Sequence, residues 1–211
     1  MTKKLLFRNI FAVAVVCALF GSSCAGGRYR LYSLDDSSLT PLSHPVDPAS
    51  GSTLTLPPIS ADWEILSADR ADVTGDGTYE FVLAVRRPWR DWPIMRWRGG
   101  KSPIADFQDR EGMSSHLIVM AADGTKLFAG SALPRPMSRV CAGDIDGDGA
   151  IELVTLEGDY ARWPKGPALR IDIWRWDIFG FELVHRSGPG AFRELFLRDI
   201  NNDDIVEIIV R

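Results

Sequence analysis

Short apolar runs separated by Gly, Pro, Asp and Asn fill the chain from Trp63 to its last residue. Residues 169–176 alternate apolar and polar positions, which is typical of a strand that buries one face. Residues 117–120 and 126–128 flank the dipeptide Asp123-Gly124, which favours a tight hairpin turn. No stretch keeps a helical period over three turns. The pattern therefore predicts an all-β fold of short antiparallel strands.

A nine-residue pattern occurs three times among these predicted strands. Its copies begin at Asp72, Asp144 and Asp199, and each places oxygen-bearing side chains at positions 1, 3, 5 and 9. A strand-like apolar run follows every copy. The copies begin 72 and then 55 residues apart, which leaves room for about four short strands in each unit. This spacing predicts a β-propeller-like array of about three four-stranded blades, forming a small or incomplete propeller.

The residue types in this pattern favour calcium. Calcium takes about six to eight oxygen ligands with flexible geometry, and nine residues here bring several such ligands close together. Gly147 and Gly149 let the middle loop curl so that alternate side chains converge. The pattern does not describe an EF-hand, because position 12 is Leu83, Thr155 or Val210 and the flanking residues are strand-like.

The three copies differ in how complete they are. The middle copy has carboxylates at all four positions, whereas the first has Thr74 at position 3 and so loses one charge. The third has Asn201 at position 3 and Asp204 where the others have glycine. From these residues the middle loop is predicted to be the strongest site, the third the next and the first the weakest. A plain Asp/Gly turn could explain one copy, but it explains three copies with an acid at position 9 poorly.

The pattern D-x-[DNT]-x-D-x-x-x-E before an apolar strand resembles the FG-GAP and VCBS repeats of integrin-alpha-like β-propellers. The resemblance covers residues 63–211. It implies that each loop joins the first two strands of a blade and binds calcium, with up to three ions in the chain. The ligands that it implies, with backbone carbonyls at Thr78, Ala150 and Ile205, are Asp72, Thr74, Asp76, Thr78 and Glu80; Asp144, Asp146, Asp148, Ala150 and Glu152; and Asp199, Asn201, Asp203, Ile205 and Glu207.

The number of blades leaves the closure of the array open. Closed propellers typically have about four to eight blades, but here the third unit stops after its second strand, at Arg211. N-terminal strands at residues 29–34 and near 53–56 could complete the last blade. Alternatively, a second copy of the chain could pair with it, or the chain could be a fragment of a longer ancestor.

The first 25 residues predict a secretory signal. Three basic residues precede an apolar run at 10–20, which is too short to span a bilayer, and small residues follow. Cleavage after Ala25 would leave a soluble protein, whereas cleavage before Cys24 would leave a lipidated cysteine. A retained membrane anchor is the third alternative. The predicted location is therefore extracellular, periplasmic or lipid-anchored at the cell envelope.

The rest of the chain divides at about residue 60. Residues 26–60 are predicted to form an N-terminal strand and a Pro/Ser-rich linker, and residues 61–211 the propeller domain. The formal charge is -4, and the three loops hold 11 of the 28 acidic residues, which argues against nucleic acid as a partner. Cys141 lies in a predicted strand and is expected to be a buried residue rather than a nucleophile.

Residues 86–101 are basic and rich in tryptophan within an otherwise acidic protein. Tryptophan can stack on sugars and arginine can pair with carboxylates, so this segment is a candidate site for a protein or an acidic glycan. The alternative is that its rings cover a blade edge while its arginines offset the acidic loops. The candidate ligand-binding residues are Trp89, Arg90, Trp92, Arg96 and Trp97.

Two functions remain open from the sequence. The first is a non-catalytic binding module in which calcium is structural. The second is a reduced relative of the rhamnogalacturonan lyases, which carry similar loops in larger propellers and would act on acidic glycans. The scattered histidines and the absence of nucleophile or phosphate-loop patterns predict no catalytic residues.

Overall fold

The computed structural model describes residues 30–35, 38–42 and 54–211. The predicted signal, Cys24 and most of the predicted linker lie outside the described residues. The described part contains twelve strands and one short helix. They are β1 (Arg30–Asp35), β2 (Ser38–Leu42), β3 (Glu64–Ala71), β4 (Glu80–Pro88), α1 (Met95–Arg98), β5 (Met113–Met120), β6 (Lys126–Ala129), β7 (Met137–Gly143), β8 (Glu152–Glu157), β9 (Arg170–Asp177), β10 (Gly180–Arg186), β11 (Leu195–Arg198) and β12 (Glu207–Val210).

The strands form three antiparallel sheets of four strands each. The first sheet has the order β3-β4-β5-β6, the second β7-β8-β9-β10 and the third β11-β12-β1-β2. The predicted all-β class is therefore confirmed. In the first and second sheets the nine-residue loop joins the first two strands in chain order, and in the third sheet it joins β11 and β12. The arrangement of these sheets as blades of a propeller stays a prediction.

Two N-terminal strands complete the third sheet. β1 pairs with β12, with Leu31 opposite Ile209, and β2 pairs with β1 at the outer edge. Within residues 26–60, predicted to hold one N-terminal strand and a linker, the structure has a second strand at 38–42, and residues 54–56 form no strand. Pro41 concealed β2 in the sequence, yet an edge strand tolerates proline because it needs only one ladder of hydrogen bonds.

The middle strands of the sheets are buried on both faces. Val82 and Ala84 of β4 contact the core between the first and second sheets, whereas Leu83 and Val85 contact a separate cluster on the opposite face. Leu153 of β8 is fully buried, and such a side chain contributes about 1.5–3 kcal/mol to folding. Burial on both faces explains why these runs are apolar throughout rather than alternating.

Neighbouring sheets contact each other through β3, β7 and β11. Asp69 of β3 accepts a hydrogen bond from the backbone N–H of Ala142 in β7 at 2.9 Å. Cys141, also in β7, donates through its thiol to the carbonyl of Leu195 in β11 at 3.6 Å. Burial raises the pKa of the Cys141 thiol to about 12, which keeps it protonated and unreactive at neutral pH. Among the described residues, no helix is long and apolar enough to cross a membrane.

Candidate metal centre

The first loop, between β3 and β4, brings three carboxylates together. Asp72, Asp76 and Glu80 each offer an oxygen, and these oxygens lie within 4.8 Å of one another. Glu80 is 1% exposed and accepts a hydrogen bond from the backbone N–H of Val73 at 2.8 Å. Thr74 donates its hydroxyl to Glu80 at 3.3 Å, so the residue at position 3 lies beside the same group. Thr78, whose carbonyl is the implied position-7 ligand, is exposed.

Hydrogen bonds and glycine backbone conformations shape this loop. The Asp72 carboxylate accepts hydrogen bonds from the N–H groups of Asp76 and Gly77, at 3.0 and 2.9 Å. Gly75 and Gly77 have φ angles of 73° and 86°, which side chains rarely adopt. Val73 points into the core and is 4% exposed, which anchors the start of the loop. The curled backbone and this anchor bring Asp72, Asp76 and Glu80 together.

The middle loop, between β7 and β8, repeats this arrangement. Asp144, Asp146 and Glu152 form a second group with oxygens within 4.8 Å of one another. Glu152 is fully buried and accepts a hydrogen bond from the N–H of Ile145 at 3.2 Å. Asp148 lies outside this group of three but accepts the N–H of Ala150 at 2.8 Å. The described chain therefore contains two equivalent acidic groups that could hold a metal ion.

The side chain of Arg175 enters the middle loop from β9, where it lies directly opposite Glu152. Its Nη2 lies 2.6 Å from Glu152 Oε1, 2.8 Å from Asp146 Oδ2 and 3.2 Å from Asp148 Oδ2. Its hydrogen bonds to Glu152 raise the pKa of Arg175, whereas burial raises the pKa of Glu152. Sequence reasoning missed this residue, and only the β8–β9 register could have revealed it.

The third loop, between β11 and β12, is arranged differently. Asp199 accepts hydrogen bonds from the N–H groups of Asn202 and Asp204, at 2.6 and 3.0 Å. Asp204, which stands where the other two loops have glycine, has a φ of 67° and so adopts the left-handed backbone conformation. The side-chain amide of Asn201 donates to Asp203 at 3.1 Å and thus occupies a carboxylate oxygen. Glu207 is 7% exposed, but within the described chain no group of three acids from this loop meets the 4.8 Å spacing.

The middle and third loops pack against each other. The N–H of Val206 donates to the carbonyl of Asp144 at 3.0 Å. A Cβ atom placed on Gly147 would lie 2.6 Å from Cδ1 of Ile205, the residue whose carbonyl is the third loop's implied ligand. Gly147 is therefore required both for its φ of 75° and for this close approach. The first loop has no such contact at the equivalent Gly75, where a Cβ would meet nothing within 4 Å.

Gly147→Ala is expected to lower the free energy of unfolding more than Gly75→Ala. Both glycines have nearly the same φ, 75° and 73°, so both substitutions carry a backbone cost of about 1–2 kcal/mol. Gly147→Ala adds the clash with Ile205, which we expect to cost about 1 kcal/mol more. Denaturant unfolding in chelator measures the difference, and adding Ile205→Val should recover it. Equal losses at the two glycines would contradict the packing of these loops.

The basic, tryptophan-rich segment lies between β4 and β5, where the structure separates its candidate residues. Trp89 is half-buried and donates its indole N–H to the carbonyl of Ile104 at 2.8 Å. Arg90 pairs with Asp62 at 2.7 Å. Trp92 donates to the hydroxyl of Ser131 at 3.0 Å. These three side chains are held by the protein itself, which favours a structural role for them.

The helix α1 places the other two candidates in solvent. Trp97 is 88% exposed, and Arg96 and Arg98 beside it are exposed and form no ion pair with the described residues. Ile94, at the start of the helix, is 55% exposed. Trp97, with Arg96 and Arg98 on either side of it, is therefore the part of the segment that is accessible to a ligand.

A cavity of about 220 Å³ lies between the outer parts of the first and second sheets. Its walls are mainly apolar and aromatic, and Ser131 connects its rim to Trp92. Phe128, Trp176 and Phe181 pack edge to face beside it, with ring centroids 5.1–6.0 Å apart. The residues that line the cavity are Leu117, Phe128, Gly130, Ser131, Ala132, Leu133, Met137, Trp174 and Phe181.

Comparison of the chain with protein-family models gives no match, and comparison with curated proteins gives none either.

Proposed function

We propose that this chain is an exported binding module of the FG-GAP/VCBS type, in which calcium stabilises the loops that join the first two strands of each blade. The observation that carries the proposal is the recurrence of one acidic group at the same place in two sheets. Each group combines a buried glutamate from the second strand with two loop aspartates within 4.8 Å. In the described part of the chain, twelve strands in three similar sheets support a repeat architecture of blades.

The charge of the first loop favours a divalent cation there. In the described chain, no lysine or arginine nitrogen lies within 4.0 Å of a carboxylate oxygen of Asp72, Asp76 or Glu80. Three carboxylates in such close contact repel one another unless protons or a cation offset them. Carboxylate, hydroxyl and carbonyl oxygens are hard ligands that suit calcium. Residues of this loop would hold the ion, whose charge would offset the repulsion.

A thermal shift on addition of calcium tests this part of the proposal. If the calcium-induced shift is lost in Asp76→Asn, the ion is assigned to the first loop. If calcium causes no shift in any variant, this part of the proposal is overturned.

We propose that the module binds a protein or an acidic glycan, which contacts α1. Trp97 can stack on an apolar or sugar face, and Arg96 can pair with carboxylates. The apolar cavity next to Trp92 lies near the start of this helix, so a ligand could contact both features.

Retardation of the protein by polygalacturonate in a native affinity gel is expected to weaken when Trp97→Ala or Arg96→Ala is introduced. Each change should raise the apparent Kd roughly two- to fivefold, because an exposed stacking or ion-pair contact contributes about 0.5–1 kcal/mol. Trp89→Phe is the matched control, since Trp89 is held inside the protein. Equal retardation of all variants would remove α1 as the glycan contact.

A further inference from the structure

The residue opposite the loop glutamate differs between the sheets. In the second sheet it is Arg175, which pairs with Glu152 across β8 and β9. In the first sheet Phe81 lies opposite Met120, so the residue next to Glu80 in this register is Ala121. In the third sheet Ile208 lies opposite Tyr32, which places Ser33 beside Glu207. On the strand that follows the glutamate's own strand in each sheet, a cation is therefore specific to the middle loop, whereas in the third sheet Arg198 lies opposite Glu207 from the other side, on β11.

The guanidinium of Arg175 uses the oxygens that a metal ion would need. Its nitrogens lie 2.6–2.9 Å from Glu152 Oε1 and 2.8 Å from Asp146 Oδ2. Both residues belong to the acidic group of the middle loop. A metal ion at these oxygens would have to share them with the arginine and would be repelled by its positive charge, which is never lost at physiological pH.

We propose that Arg175 is a tethered cation that neutralises the middle loop without metal and lowers its affinity for calcium, so that the first loop is the stronger site. This inference rests on the proposed function, in which these loops bind calcium. It reverses the order predicted from the loop residues alone, in which the middle loop was strongest and the first weakest. The cause of the reversal lies outside the loop, on β9.

The two loops then differ in their dependence on metal. Without calcium, the middle loop keeps its carboxylates paired through Arg175, whereas the acids of the first loop have no lysine or arginine partner among the described residues. The Arg175 side chain is 36% exposed, so it can move toward solvent without unfolding the sheet. Calcium can enter the middle loop only as the guanidinium withdraws from Glu152 and Asp146.

Calorimetric titration of the whole chain with calcium, after purification in chelator, tests the inference. The wild-type protein is expected to show one tight site, which Asp76→Asn removes. Arg175→Gln should add a second tight site, with a Kd for the middle loop at least roughly tenfold lower than in the wild type. The added site should persist in Arg175→Gln with Asp76→Asn and should vanish when Asp146→Asn is also introduced.

A melting experiment in chelator gives a readout that needs no metal. In chelator, Arg175→Gln is expected to have a lower melting temperature than the wild type, because the carboxylates of the middle loop lose the guanidinium that neutralises them. Calcium should restore the melting temperature. Arg175→Lys keeps a positive charge but not the forked donor, so it provides a folded variant with an intermediate affinity if Arg175→Gln fails to fold.

The outcomes separate the inference from the proposed function. A tight site that survives Asp76→Asn in the wild-type background would overturn the inference and leave calcium binding intact. The inference would also be overturned if Arg175→Gln kept the wild-type melting temperature in chelator, or if both Arg175 variants kept the wild-type affinity for calcium. Absence of calcium binding in every variant would overturn the proposed function and the inference together.

Discussion

Saturating calcium is expected to raise the melting temperature of this protein by roughly 5–10 °C, and chelator should reverse the shift. A ligand that binds only the folded state stabilises it by about 2.7 kcal/mol at 100 times its Kd. For a domain of this size, about 1 kcal/mol corresponds to a change of about 2–4 °C. The effect arises because calcium offsets the repulsion between Asp72, Asp76 and Glu80, whose oxygens lie within 4.8 Å of one another.

Asp76→Asn is the most informative variant for this experiment. Asp76 is exposed and its Oδ1 accepts the N–H of Thr78 at 2.7 Å, a bond that asparagine can keep. Asp123→Asn is a matched control, because Asp123 is also exposed and accepts the N–H of Thr125 at 2.8 Å, yet it belongs to neither acidic group. We expect Asp76→Asn to lose more than half of the calcium shift and Asp123→Asn to keep all of it.

Magnesium separates specific binding from general screening of charge. It demands a nearly ideal octahedral site and gives up its water reluctantly, so the same concentration should produce a much smaller shift. Equal shifts with magnesium and calcium, or a full shift in Asp76→Asn, would contradict a calcium site in the first loop.

The fold class could be predicted because both of its signals are local. Runs of two-residue alternation and repeated Asp/Gly loops lie within single strands and turns. β2 was missed because Pro41 argued against a strand, and the edge position that tolerates proline follows only from pairing with β1. How the third sheet is completed depends on contacts between chain ends more than 150 residues apart. Such contacts leave no local pattern.

The candidate ligands could also be predicted, but their electrostatic surroundings could not. Arg175 lies 23 residues from Glu152 in the sequence, and only the register of β8 and β9 brings the two together. Trp89 and Trp97 look alike in the sequence, but one is held by a carbonyl and the other is exposed. For Glu152 and Trp89, the partner that decides the role lies 23 and 15 residues away in the sequence.

Glu157→Gln is expected to stabilise the protein progressively, relative to the wild type, as the pH rises from about 5 to 8. Glu157 and Asp172 are 7% and 1% exposed, and both bind the single guanidinium of Arg186, at 2.6 and 2.8 Å. The second oxygen of Glu157 is buried without a hydrogen bond, and Arg135 approaches it only to 3.6 Å. Burial, followed by the neighbouring Asp172, raises the pKa of Glu157 from 4.5 to about 7.

The direction of the effect follows from proton binding. Between pH 4.5 and about 7 the folded protein holds the Glu157 proton more tightly than the unfolded chain does. The free energy of unfolding therefore falls as the pH rises through this window, by an amount on the order of 3 kcal/mol, and stays lower above it. Glutamine carries no charge at any pH, so the variant should escape this loss. Below pH 4.5 the two proteins should differ little in their pH dependence.

Denaturant unfolding at several pH values in chelator isolates this contribution. Burial also raises the pKa of Glu152 and Glu207 in the loops, and these shifts destabilise the protein in the same direction as the pH rises. They are present in both proteins, so the difference between Glu157→Gln and the wild type cancels them. Asp106→Asn, which alters an exposed ion pair with Lys101, should give a nearly constant difference. Parallel pH profiles for Glu157→Gln and the wild type would show that Arg186 neutralises both buried carboxylates.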